Sequence, residues 1–176
     1  AWMNGNIIPI CEASIPVTDW GLTHSDITYD VAPVRDGAFF RLNDYIDRFF
    51  ASMAALQLNP NMTKQQVQDA LIDMVAASAM RESYVAMVCS RGVRKLPEAV
   101  THAIAAIIFM RGVAYVHVIK PEIVASGATA IIAEGVTRIA DSSINPMVKN
   151  YHWGDFTTAI FEAKEKHVET AILTDA

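Results

Sequence analysis

Asn145-Pro146-Met147-Val148-Lys149-Asn150-Tyr151-His152-Trp153-Gly154-Asp155 sets a single lysine among apolar and aromatic residues. From Trp153 onward Phe156, Ile160 and Ala163 recur at helical spacing to about Lys166, so Lys149 stands on the approach to an amphipathic helix. A lysine in that setting leaves bulk water, and desolvation disfavours its ammonium form. The positive end of a helix starting near Asn150 or Trp153 acts in the same direction. A neutral amine is a nucleophile whose natural partner is an aldehyde. The same spacing also suits an ordinary solvated lysine, so the stretch permits carbonyl chemistry without requiring it.

Composition narrows the classes around that lysine. In 176 residues, 52% hydrophobic content is ample for a packed core. A net charge of -5 with no Lys/Arg cluster argues against nucleic acid and against an anionic membrane surface. The longest apolar run, Ala103 to Met110, is too short to cross a bilayer, and no charged-then-apolar leader stands at Ala1. Cys11 and Cys89 cannot make a disulfide framework and have no metal-ligand spacing. These features predict a soluble cytoplasmic chain without a metal site, with a small molecule or another protein as ligand.

Working back along the chain, Asn4-Gly5 and Asp36-Gly37 predict two hairpins, the second formed by His24 to Arg35 and Ala38 to Arg41. Tyr29 and Val31 alternate on one strand and therefore point the same way. Asn43 is the expected cap of a helix to about Leu56, with Ile46, Phe49, Phe50, Met53 and Leu56 as its buried stripe. Thr63-Lys-Gln-Gln66 is a capping box for a helix to about Ala79. Strands are expected at Tyr84–Ser90, His102–Met110, Val113–Ile119, 128–133 and 170–174, with a loop around Pro16–Gly21 and a basic loop at Arg91–Pro97. The irregular stretch Gly135 to Pro146 carries Arg138. The expected organisation is α+β, a small domain over 1–119, a linker at 120–127 and the start of a second, incomplete α/β domain over 128–176.

Val148-Lys-Asn-Tyr-His-Trp-Gly-Asp-Phe156, taken with His24-Ser-Asp-Ile-Thr-Tyr-Asp-Val31 and Phe40-Arg-Leu-Asn-Asp-Tyr-Ile-Asp-Arg-Phe49, resembles the class IV, fold-type IV aminotransferases that use pyridoxal phosphate. Three segments match in order, and the likeness covers essentially the whole chain. It is nearest to the (R)-selective amine and D-amino-acid transaminases, with branched-chain aminotransferases somewhat further away.

The resemblance implies roles for particular residues. Lys149 would hold pyridoxal phosphate as a Schiff base and, once freed, shuttle a proton. Arg48 would bind the cofactor phosphate, although its own spacing equally suits an exposed arginine paired with Asp44 four residues earlier. Arg138 would be a further cofactor contact. His24, Tyr29, Val31, Tyr84, Arg94 and Trp153 would line the substrate pocket. Periodicity alone would make Tyr84 and Trp153 core residues, His24 a loop histidine and Arg94 a solvated cation. The implied reaction is amino transfer from an (R)-amine or D-amino acid to an oxo acid by a homodimer. Branched-chain L-amino-acid transfer, an aminodeoxychorismate-type lyase on the same scaffold, and an inactive fragment are the alternatives. The family's glutamate for the pyridine nitrogen and its glycine- and threonine-containing phosphate turns fall beyond Ala176, so the chain reads as part of a longer one.

Overall fold

Asn4-Gly5 and Asp36-Gly37 both take left-handed backbone, with φ of 52° and 83° in the first pair and 51° and 81° in the second. Positive φ at both central residues is what a two-residue hairpin needs for its twist to match that of the strands. The turns fold β1 (Trp2–Met3) onto β2 (Asn6–Ile7) and β3 (Ile27–Arg35) onto β4 (Ala38–Phe39), as the sequence predicts. The structure is a computed structural model that describes residues 1–93, 106–117 and 119–175. Its chain divides into two units, Ala1–Val116 with Met147–Tyr151, and His117–Pro146 with His152–Ala176.

In the first unit, β5 (Ser83–Ser90) and β6 (Ile107–Ala114) complete an antiparallel sheet of order β2-β1-β6-β5-β3-β4 among the described residues. The sequence predicts two strands here, broken at Arg111-Gly112, but β6 runs through that dipeptide without a break. Gly112 serves packing instead, because a Cβ there would lie only 3.4 Å from Met80 Cε and 3.9 Å from Met74 Cε. Helices α1 (Trp20–His24), α2 (Leu42–Ala55) and α3 (Lys64–Ser78) belong to the same unit. The first falls where a loop is predicted. Asp19, buried, caps it by accepting from the Gly21 N–H at 2.7 Å and from the Ser90 hydroxyl. For α2 the N-cap is Arg41, in left-handed backbone and without a side-chain capping bond, not Asn43. The capping box of α3 forms as read, with Thr63 and Gln66 bonding one another's backbone.

Phe49, Ile46 and Met53 of α2 pack with Val67, Leu71 and Met74 of α3 against Ala32, Val34, Val85, Met87 and Met110 of the sheet. Each of these side chains larger than alanine contributes about 1.5–3 kcal/mol on full burial. Cross-strand register then sorts the sheet into two faces. Thr28, Asp30, Ala32 and Val34 share the helix-covered face, while Tyr29, Val88 and Phe109 stand opposite one another on the other, next to Val31, Ala86 and Arg111. On its far side β3 pairs with β4 only at Val34 and Arg35, so the edge from Ile27 to Pro33 has no strand partner there among the described residues.

In the second unit, β7 (Ala130–Ile132) pairs in parallel with β8 (Thr170–Ile172), and α5 (Gly154–Glu165) precedes β8 with Ala159 and Ala163 buried. A six-residue helix, α4 (Pro121–Ser126), occupies the stretch read as a linker, with proline in its first turn, where a missing N–H costs nothing. Among the described residues no helix is long and apolar enough to cross a membrane.

Candidate active site

Lys149 is held by its main chain. Its N–H donates to Ser52 Oγ at 3.4 Å and its carbonyl accepts from the Thr28 hydroxyl at 2.5 Å. Val148, one residue earlier, is buried, and Tyr151, two residues later, stacks on Tyr29 with centroids 4.1 Å apart and planes 11° from parallel. Thr28 and Tyr29 lie on opposite faces of β3, so a segment touching both must pass the open edge of that strand. The stretch 148–151 therefore runs beside that strand, and the side chains of Thr28 and Ser52 fix the backbone of the lysine.

With the backbone fixed, the amine falls where the aromatic face begins. Lys149 Nζ lies 4.6 Å from the centroid of the Tyr29 ring. Burial pushes its pKa below the ordinary value, the carboxylate of Asp30 works against that, and the Arg48 guanidinium adds to it. Arg48 thus sits within electrostatic range of the amine. Its guanidinium grips Asp30 through two hydrogen bonds, Nε and Nη2 each 2.7 Å from a carboxylate oxygen. That bond leads the causes that raise the Arg48 pKa, so the side chain is a permanent cation. The two partners are unequally placed, since the Arg48 side chain is 53% exposed and that of Asp30 is 0% exposed.

Of the side chains predicted for the site, Lys149, Arg48, Tyr29 and Val31 come together around this strand. Tyr84, on β5, shares the Tyr29 face and lies near enough to act on the Tyr151 phenol, whose pKa is pushed up by burial first, pulled down by Arg111 and raised by Tyr84. His24 is exposed at the end of α1, stacked on Trp20 at 4.6 Å and hydrogen-bonded to the Thr23 hydroxyl at 2.7 Å. The Arg48–Asp44 pairing does not form, because Asp30 takes Arg48 and Asp44 bonds Arg41.

Arg138 and Trp153 belong to the second unit. There Arg138 pairs with Asp155, donates to the His152 carbonyl at 3.3 Å and lies 4.6 Å over the Phe156 ring, which Trp153 meets edge-on. Burial raises the Asp155 pKa, but the Arg138 bond and the N–H groups of Ile139 and Phe156 outweigh it and hold the carboxyl below the usual range. Arg94 lies outside the described residues.

Thr28, Asp30, Ser52, Tyr151 and Arg111 are the neighbours that sequence reasoning missed. A signal existed for Asp30, a charged residue between Tyr29 and Val31 in a strand that carries no other charge from Ile27 to Val34. For Ser52 there was none, since a serine on an apolar helix stripe carries no mark of its partner.

The geometry offers a half-buried amine against an aromatic face and a half-open guanidinium beside it. Comparison with known proteins bears on what it serves. The family described as amino-transferase class IV matches residues 28–176. The putative branched-chain-amino-acid aminotransferase of Methanocaldococcus jannaschii is 25% identical over 174 residues, covering 99% of this chain and 59% of that protein. The D-alanine aminotransferase of Listeria monocytogenes is 28% identical over 92 residues, 52% of this chain and 32% of that one. Among solved structures, a T.th. branched-chain amino acid aminotransferase complexed with N-(5'-phosphopyridoxyl)-L-glutamate superposes with a TM-score of 0.84 at 20% identity, over 99% of this chain and 57% of its own. The chain thus spans under two thirds of the length of these proteins.

Proposed function

This chain belongs to the amino-transferase class IV family, and on that premise we propose that it supplies the attachment lysine and phosphate arginine of a pyridoxal-phosphate-dependent enzyme that transfers an amino group to an oxo acid. The observation that carries the reading is the half-buried Lys149 amine, depressed in pKa, 4.6 Å from the Tyr29 ring and within electrostatic range of Arg48. The donor set fits a phosphorylated aromatic aldehyde. Two of the five guanidinium N–H groups of Arg48 are engaged by Asp30, leaving three for an anion on a side chain that is half in solvent. The likeness to a structure complexed with a phosphopyridoxyl compound supports the same choice.

Bound there, pyridoxal phosphate supplies the electron sink that lets a C–H bond beside nitrogen ionise. The protein's part is positioning and proton traffic. Lys149, whose main chain is pinned by Thr28 and Ser52, presents its amine as the covalent anchor and, when free, as the base and acid that moves the proton. Its lowered pKa increases the fraction of neutral amine available for both tasks. Tyr29, stacked by Tyr151, limits water on that side, and Val31 and Tyr84 extend the same face as substrate contacts.

For the donor, we take a D-amino acid or (R)-amine, which the His24–Val31 and Lys149–Asp155 motifs and the match to a D-alanine aminotransferase support. A second reading, a branched-chain L-amino acid, is favoured by the relative matched over 99% of the chain. In the complete protein, incubation with pyridoxal phosphate, borohydride reduction and peptide mapping should place a pyridoxyl group on Lys149, and Lys149→Ala should carry none. A folded protein whose Lys149 stays unlabelled rejects the proposal.

A further inference from the structure

We propose that Asp30 is a positioning residue for the phosphate site, setting the orientation of Arg48 by gripping one edge of its guanidinium from inside the protein. The inference rests on the cofactor reading given above and goes beyond it by assigning a residue whose side chain is enclosed and bonded to Arg48.

The pair is built asymmetrically. The Asp30 side chain has no solvent exposure, and apart from the Val31 N–H, 2.7 Å from Oδ1, its described partner is Arg48. Taking a carboxylate out of water costs several kcal/mol after relaxation, and replacing a buried charge pair by well-packed apolar residues is often neutral or stabilising. Stability alone therefore gives little reason for a charge at this position. Orientation gives one. An arginine on a helix surface ordinarily samples many rotamers, and that freedom is lost when it must be held for a ligand. The bonds from Nε and Nη2 fix the plane of the guanidinium before any anion arrives, and the remaining three N–H groups stay on the half-exposed side. Arg48 is anchored from behind as well, since Phe49 is fully buried and Ser52, one turn further along α2, holds the Lys149 backbone. Asp30 therefore links the anion-binding cation to the strand that carries Tyr29, next to the nucleophilic lysine.

A positioning role through Arg48 separates phosphate recognition from ring recognition. Dissociation constants for pyridoxal phosphate and for unphosphorylated pyridoxal, measured by absorbance titration of the complete apo protein, give the preference for phosphate. In the unaltered protein the phosphorylated form should bind at least tenfold more tightly. Asp30→Asn should lower that preference by about tenfold, a ratio in which the effect of Asp30 on the Lys149 amine, common to both aldehydes, cancels, and Asp30→Glu, which keeps the charge but displaces it by a methylene, should lower it too.

In an Arg48→Met background, Asp30→Leu should leave the preference unchanged, and this apolar pair keeps the test available should Asp30→Asn not fold. A preference retained in Asp30→Asn or Asp30→Glu, or lost further on changing Asp30 when Arg48 is already absent, overturns the positioning role. An unaltered protein with no preference for phosphate overturns instead the reading of Arg48 on which it rests.

Discussion

A lysine whose folded pKa lies below its ordinary 10.5 is the less common case, and its sign matters. Between the lowered value and 10.5 the unfolded chain binds more protons at Lys149 than the folded one, so stability increases as pH rises through that window and levels off above it. Lys149→Met removes this contribution, and urea midpoints measured across alkaline pH should rise less steeply in the variant. The same shift makes the amine reactive earlier. In the cofactor-free protein, acetylation of Lys149 followed by mass spectrometry should set in at lower pH than for a lysine in a short peptide. Asp30→Asn should move the onset lower still, because Asp30 opposes the depression. An onset at or above that of the peptide would contradict the burial of this amine.

At the scale of elements, the hairpins and α3 were legible because their signals are local. Asn4-Gly5 and Asp36-Gly37 accept positive φ, and Thr63 and Gln66 satisfy one another's backbone within four residues. Thr63→Ala should cost about 1 kcal/mol in urea unfolding by removing the acceptor for the Gln66 N–H. A loss within error of zero would mean that tertiary packing, not the cap, sets the start of α3. Where elements were misread, a local rule was outvoted. Glycine at position 112 reads as a break, yet it lets β6 pass beneath Met80 and Met74. Asn43 reads as a cap, yet the backbone of α2 already turns in at Arg41.

Across the whole molecule, the family follows from motifs spread through the chain, and the proposed amino transfer is tested by the choice of donor. With pyruvate or 2-oxoglutarate as acceptor, the complete protein should transfer the amino group of D-alanine at least tenfold faster, in kcat/KM, than that of L-leucine. The opposite order would establish the branched-chain reading, and consumption of an amine substrate without any acceptor would point to a lyase. The sequence by itself determined the turns, the cap of α3, the apolar stripes, the family and the lysine, because each is written in residues a few positions apart or in a motif.

Only the tertiary structure decided that Asp30 takes Arg48 away from Asp44, that Thr28 holds Lys149 from 121 residues away, and that Ser52 does so from 97. Those choices depend on which edge of β3 is left open and which buried polar group lacks a partner there, and neither is known until distant strands and helices have packed.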